Sequence, residues 1–420
     1  MIRKQELANG ITLLTESMPH VRSVSIGVWL RRGSRHEPAR SNGISHFIEH
    51  LVFKGTESRS AREIALEMDS VGGQMDAFTS KEYTCFYAKV LDDHLPRAVE
   101  LLADIVQHPL FDPVEVERER QVVLEEIRMV DDTPDDLIYD LFAENFFPRH
   151  PLGRPIQGTE QTVGALGRRR LLSFFRDAYR PQNMLIVAAG NLKHGQMSRW
   201  AHKHFGKLKR GRMVNGRRTS PRARCGRVLC NKRELGQLHL LLGLPVAPVR
   251  PERRYPLFVL NTLLGGTMSS RLFQRVREER GLAYSVFSGV NTFVDAGYLN
   301  IYAATSPKTG VELVEVVKYE LIDLRDNGPT EEELEMAKEH LKGSLMLSLE
   351  STASRMSNLA RQEIYHGRQL ELEETLAGVD SVTSRQAHQV AKKLFGGRDL
   401  SLAAVGRIAA AKLDRLELKL

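Results

Sequence analysis

The sequence predicts an α+β fold of two homologous halves, each an antiparallel-rich sheet with helices packed on one face. Three observations lead there. At 420 residues the chain exceeds what one hydrophobic core usually organises, roughly 100–200 residues per domain. Both halves mix runs of strand-like alternation with runs of helical period. Short landmarks also recur at a nearly constant distance: Gly265-Gly-Thr stands 211 positions after Lys54-Gly-Thr, and Pro329 stands 216 after Pro113. An ancestral duplication accounts for this recurrence.

The first half passes from Met1-Ile-Arg-Lys-Gln-Glu straight into a strand. Residues 23–30 and 83–90 alternate and are β-branched or aromatic, which predicts strands, while 96–108 and 114–130 carry helical periodicity. The second half repeats this order. Residues 236–245 read as a strand, a helix leads to Gly266-Thr267, further strands follow, and 310–325 and 331–345 read as helices. Between the halves, 209–224 is basic, punctuated by Gly and Pro and without aromatic residues, the composition of a solvated linker. The expected division is therefore 1–208, a linker at 209–224, and 225–420.

Bulk composition excludes several function classes. A net charge of +8 invites nucleic acid as a partner, but much of the excess sits between Lys207 and Arg224 with nothing to stack on bases, so no nucleic-acid partner is expected. No apolar run approaches the roughly 20 residues needed to span a bilayer, and the N-terminus lacks a secretory signal pattern. Cys85, Cys225 and Cys230 form neither a disulfide framework nor a zinc-ribbon spacing, which favours a reducing compartment; cytoplasm is the expectation.

The chemistry is concentrated in Gly43-Ile-Ser-His-Phe-Ile-Glu-His-Leu, where His46, Glu49 and His50 form an H-x-x-E-H spacing. Residues three and four apart share a helix face, so two imidazoles can grip one metal with a carboxylate beside them. Two histidines and a glutamate also meet on helices by chance, and catalytic zinc usually takes three protein ligands and leaves a fourth position open. The segment from Glu115 to Ile127 offers several carboxylates. Two further stretches stand out, Gly72-Gly-Gln-Met-Asp-Ala-Phe-Thr-Ser-Lys-Glu-Tyr-Thr and Leu264-Gly-Gly-Thr-Met-Ser-Ser-Arg-Leu-Phe-Gln.

With these segments the chain resembles, over nearly its whole length, the pitrilysin, insulysin and mitochondrial processing peptidase family of inverted zincins, as a half-size bacterial member of the processing-peptidase type. The resemblance implies a third ligand 76 positions after His50, at Glu126, and a second carboxylate seven residues earlier, at Glu119. Seven residues are two helical turns, which keeps both on one face. It implies one Zn2+ per chain held by His46, His50 and Glu126, with Glu49 as general base and Glu119 supporting the site. The Gly72 stretch resembles the family's substrate-facing edge strand, with Asp76 and Ala77 as substrate contacts. Many members carry asparagine at the position of Asp76. Glu82 matches a family glutamate and is equally readable as a surface charge. Arg277 and Tyr284 match a substrate-binding arginine and an oxyanion-steadying tyrosine, with Arg275 and Arg280 as rivals for the former.

The implied activity is zinc-dependent hydrolysis of peptides or extended polypeptide segments. The implied architecture is half of a clamshell, with a metal-binding first domain and a substrate-binding second domain that pairs as a homodimer or with a homologous half. The alternative is a non-catalytic scaffold or partner subunit. The duplication offers an internal control: His46, Glu49 and His50 face Leu257, Leu260 and Asn261, and Glu126 faces Lys342. The metal set is thus an addition to the fold rather than a requirement of it. His20, His36, His94, His202 and His204 are assigned no site role, nor are Cys225 and Cys230.

Overall fold

The computed structural model describes residues 1–420 apart from 212–219, 249–253, 409–412 and 414. Its elements run β1 (Ile2–Glu6), β2 (Thr12–Ser17), β3 (Ser23–Leu30), α1 (Ile44–Leu51), α2 (Ala61–Asp69), β4 (Gln74–Thr79), β5 (Thr84–Leu91), α3 (Leu95–Gln107), α4 (Pro113–Asp132), α5 (Pro134–Phe146), α6 (Glu160–Gly164), α7 (Arg168–Ala178), β6 (Met184–Gly190) and α8 (His194–Phe205). There follow β7 (Arg227–Asn231), β8 (Leu238–Val246), α9 (Tyr255–Asn261), β9 (Ala283–Thr292), β10 (Gly297–Thr305), α10 (Gly310–Asp326), α11 (Glu331–Ser348), α12 (Thr352–His366), α13 (Leu372–Asp380), α14 (Ser384–Phe395) and β11 (Ser401–Gly406).

The chain divides into two compact units. The first holds a six-stranded sheet ordered β1-β2-β6-β3-β5-β4, the second a five-stranded sheet ordered β7-β11-β8-β10-β9. In both, one parallel pair (β2 with β6, β7 with β11) is followed by antiparallel neighbours. Without β1 the two ladders are the same diagram, which is the topology a duplication requires.

The units are not contiguous in sequence, unlike the division expected at 209–224. The first comprises Met1–Arg128, Arg154–Arg218 and Leu347–Gln369; the second comprises Met129–Gly153, Thr219–Met346 and Leu370–Leu420. Helix α12 therefore belongs to the first unit and α5 to the second. Of the basic stretch, 212–219 lies outside the described residues.

Nor do helices occupy one face only. On the first sheet Leu13, Val28, Phe86, Ile186 and Ala188 point into a core with α1, α3 and α8, while their neighbours Leu14, Trp29, Cys85, Leu185 and Val187 point the other way, against Met356, Leu359 and Ala360 of α12. Successive strand residues face opposite sides, so the two sets lie on opposite faces. In the second unit Leu240, Leu242 and Leu402 face the core with α10 and α14, while Leu241, Ala403 and Val405 meet Ile138, Phe142 and Phe146 of α5. The expected single helical layer gives way to cover on both sides because the middle strands are buried on both faces. Strand β6, Met-Leu-Ile-Val-Ala-Ala-Gly, is buried throughout, and an apolar run of that kind needs cover on both faces.

Each covering helix comes close to a glycine in the central strand. A Cβ on Gly27 would sit 3.0 Å from Met356 Sδ, and one on Gly243 would sit 2.3 Å from Phe142 Cζ. Polar contacts then fix α12: Ser25 and Thr352 hydroxyls bond at 2.9 Å, Lys4 pairs with Glu363 at 2.8 Å, and Arg355 pairs with Glu16.

Candidate metal centre

Helix α1 sorts its residues by period. Ile44, Phe47, Ile48 and Leu51 are fully buried in the first unit's core, and His46, Glu49 and His50 occupy the opposite, half-buried face. Helix α4 presents Val116, Glu119, Val123 and Ile127 inward. This apolar stripe carries one carboxylate, Glu119, which is 5 % exposed, and Glu126 stands at its edge two turns further on.

These faces meet. His46 Nε2 lies 3.6 Å and His50 Nε2 3.5 Å from Glu126 Oε2. The imidazole centroids are 4.8 Å apart, and the three donor atoms all lie within 4.8 Å of one another. A tetrahedral zinc site with bonds of about 2.0–2.1 Å separates its donors by about 3.3 Å, so the two N···O separations exceed that spacing by only a few tenths of an ångström. The donor chemistry, two imidazoles and a carboxylate, suits that ion. His46 is held neutral, its pKa pulled down to about 4 by burial and by His50 against the opposing pull of Glu126. Glu126 is kept ionised by its hydrogen bond with His50, with the two imidazoles adding to that pull against partial burial.

Around the donors stands a shell of charged groups. His50 Nδ1 meets Glu119 Oε2 at 3.2 Å, and Glu119 Oε1 meets Lys54 Nζ at 2.8 Å. A carboxylate on the far nitrogen of a ligating histidine fixes its tautomer and ring plane. Burial lowers the His50 pKa, but the Glu126 and Glu119 carboxylates outweigh it and the net direction is upward. Glu49 accepts a short hydrogen bond from the Thr79 hydroxyl on β4. Burial pushes its carboxyl up to about 7 against the pull of Thr79 and His50, and the Asp76 and Glu126 charges push the same way as burial.

The other expected residues fall as follows. Asp76 and Ala77 lie on β4, the outermost strand of the first sheet, where Asp76 is exposed and its Oδ1 accepts from the Ala77 amide at 2.8 Å. Glu82 is neither a surface charge nor part of the donor cluster. It is 5 % exposed and paired with the buried Arg35 at 2.5 Å, because the turn between β4 and β5 folds back over 33–35. Arg277 and Tyr284 belong to the second unit, whereas the donor cluster lies wholly in the first. There the Arg277 guanidinium lies 4.6 Å above the Tyr284 ring and 4.7 Å from Phe273, while Arg275 is committed to Glu279 and Glu320. Geometry thus couples Tyr284, 78 % exposed at the start of edge strand β9, to Arg277 rather than to Arg275. The three cysteines are free. No helix among the described residues is long and apolar enough to cross a membrane.

Sequence reasoning missed Lys54, Thr79 and Glu37. Lys54 follows His50 by four positions and was open to the same spacing argument; Thr79 stands in the strand already singled out. Glu37 lies in the loop between β3 and α1, with no periodic signal.

Comparison with known proteins agrees with this geometry. Residues 12–160 match the model of the insulinase family, peptidase family M16, and residues 165–341 match the model described as peptidase M16 inactive domain. A protein of Bacillus subtilis (strain 168) named as an uncharacterized zinc protease is 44 % identical over 405 residues, covering 96 % of this chain and 98 % of its own. One of the same description from Mycobacterium tuberculosis (strain H37Rv) is 44 % identical over 403 residues, 94 % of this chain and 91 % of its own. Among solved structures, a protease from Helicobacter pylori superposes with a TM-score of 0.91 at 22 % identity, covering 96 % of this chain and 99 % of its own. A peptidase M16 inactive domain from Pseudomonas fluorescens superposes with 0.89 at 20 % identity, covering 96 % and 98 %. Those two establish the fold. The near full-length relatives and the family match over both halves establish more: this chain belongs to the insulinase (M16) family of peptidases.

Proposed function

We propose that the chain is a zinc-dependent endopeptidase that cleaves peptides or extended polypeptide segments. One observation carries the reading: a three-donor metal set, a further carboxylate on the same helix face and an open strand edge converge in one unit. His46, His50 and Glu126 would hold Zn2+, in keeping with relatives named zinc proteases. When bound, the ion supplies Lewis acidity, polarising the scissile carbonyl and acidifying a water toward neutral pH.

The protein's own groups do the rest. Glu49 takes the proton of the attacking water on a carboxylate oxygen and returns it to the nitrogen of the leaving amine. Its place on the same helix face as the two histidines puts it within reach of a water held there. Thr79 holds Glu49 on the same side as β4. The outer edge of β4 offers backbone groups to an extended peptide, which adds as a further strand beside Glu49. Folded substrates lack such a free strand, and that sets the substrate class. Glu119 and Lys54 keep the His50 ring in its ligating orientation. Arg277 and Tyr284 bind the substrate from a second unit, contributed by the same chain or by a partner chain in a homodimer or heterodimer. A monomer that cleaves at full rate under sedimentation-checked conditions rules out the partner arrangement.

The decisive experiment compares wild type with Glu49→Gln on a mixed peptide library, with cut sites read by mass spectrometry and zinc content measured in parallel. The expected variant keeps zinc and loses about 10²–10⁴-fold in rate, the range for a general base. Retained zinc with wild-type cleavage overturns the role of Glu49. A wild type without stoichiometric zinc, indifferent to chelators, returns the chain to a scaffold role.

A further inference from the structure

The helix bearing the metal donors is only eight residues long, too short to hold its own direction, so its ends must be held for it. Glu37, in the loop between β3 and α1, is 4 % exposed and points its carboxylate at the start of α1. Oε2 accepts from the Gly43 amide at 2.7 Å and from Asn42 Nδ2 at 3.1 Å, and Oε1 accepts from the Ser45 amide at 2.8 Å. The amides at a helix N-terminus have no partner within the helix, and an anion there is favoured by the helix dipole as well.

The same corner is locked from outside. Asn42 Nδ2 also reaches Pro155 O at 2.9 Å, and Arg154 Nη1 reaches Glu37 O at 3.2 Å. Gly43 has φ +92°, and a Cβ there would come within 2.4 Å of Gln157 O. The start of α1 therefore has one position relative to the 154–158 loop.

The two histidines differ in how they are held. His50 has Glu119 on its far nitrogen, backed by Lys54. The far nitrogen of His46, Nδ1, is buried and finds no hydrogen-bond partner among the described residues. No hydrogen bond to Nδ1 fixes this ring as Glu119 fixes that of His50, so its direction leans on the backbone of the first turn, and His46 directly follows Ser45. We infer that Glu37 is the positioning residue for His46: by gripping the Gly43 and Ser45 amides it aims the first metal donor, as Glu119 aims the second. The inference rests on the zinc reading above.

The test measures Zn2+ affinity by competition with a chromophoric chelator, together with the visible spectrum of the Co2+-substituted protein and the thermal midpoint of the metal-free form. Glu37→Gln keeps the shape but turns an amide donor toward buried N–H groups. It is expected to weaken zinc binding about 10–100-fold, the cost typical of losing a group that orients a ligand, and to shift the Co2+ bands. Glu37→Asp, which keeps the charge on a shorter stem, is expected to recover part of the affinity. If Glu37→Gln does not fold, Asn42→Ala, which removes one of the three donors and leaves the carboxylate, is measured the same way and is expected to show a smaller shift in the same direction. A folded variant with lowered thermal midpoint but wild-type zinc affinity and Co2+ spectrum overturns the inference and leaves Glu37 a purely structural cap. Wild type that binds no zinc sinks the underlying reading instead.

Discussion

Helices α1 and α9 occupy the same place in two copies of one plan, each following the central strand of its sheet and preceding the edge strand. Helix α1 carries two imidazoles and a carboxylate on its outer face. At the matching positions α9 carries Leu257 and Leu260, buried at 5 % and 2 % exposure, and Asn261. Where Glu126 stands in the first unit, Lys342 stands in the second, paired with Glu339 and Asp380. The fold evidently closes with leucine at these sites. Partly buried polar groups cost stability unless something compensates them, so the first unit has given up packing for a site and the second has kept it.

That contrast can be broken most directly by making the first unit resemble the second. The triple variant His46→Leu, Glu49→Leu, His50→Asn is expected to lose stoichiometric zinc and all peptide cleavage while remaining folded. In the absence of metal its stability is expected to stay close to wild type, the gain from leucine at 46 and 49 set against the loss of the His50 partner of Glu119 and Glu126. Circular dichroism, metal analysis and urea unfolding decide it, and an unfolded variant would show that the polar set is part of the fold after all.

A smaller effect concerns what the two units share, a covering helix from the other half of the sequence. Phe142→Ala on α5 is expected to cost about 3–5 kcal/mol and Leu359→Ala on α12 about 2–5 kcal/mol, since both side chains are buried in close-packed clusters. Hydrogen exchange should locate the first loss at β8 and β11 and the second at β3 and β6. Losses that fail to follow this pattern would mean that the covering helices do not complete the sheets they lie on.

The smallest effect is a pH dependence confined to the first unit. Glu49 has its carboxyl raised from 4.5 to about 7 in the folded, metal-free chain. Between those values the folded state binds more protons than the unfolded one, so stability falls as pH rises from about 4.5 to about 7. Urea midpoints of chelated wild type should show this loss relative to Glu49→Gln; parallel pH profiles for the two proteins would remove Glu49 as its source.

Legibility from sequence followed distance along the chain. The H-x-x-E-H face was readable because three and four residues make a helix face, and Ser23–Leu30 was readable because its composition is that of a strand. Glu126 was one of several carboxylates on α4 until family resemblance chose among them; only packing brings it to 3.5 Å from His50. Glu37 was not readable at all, because a loop side chain that returns to cap a helix leaves no period. The exchanged helices were missed although a trace of them was present: β6 is apolar on both faces, which demands cover on both, but nothing local says which helix supplies it. Arg277 and Tyr284 stand seven residues apart, and the guanidinium lies over the ring, a contact that short spacing makes local.

The exchange of α5 and α12 has a consequence for how the protein is made. The first sheet has all its strands once Gly190 has left the ribosome, yet the helix that covers Leu14, Trp29, Leu185 and Val187 begins only at Thr352. At about 5–20 residues per second, the intervening stretch of about 160 residues takes roughly 10–30 s to synthesise. For that interval the nascent chain carries an apolar sheet face with no partner yet in existence, an opening for chaperones and a liability on crowded polysomes. A chain that stops before α12 would leave that face of the first sheet uncovered.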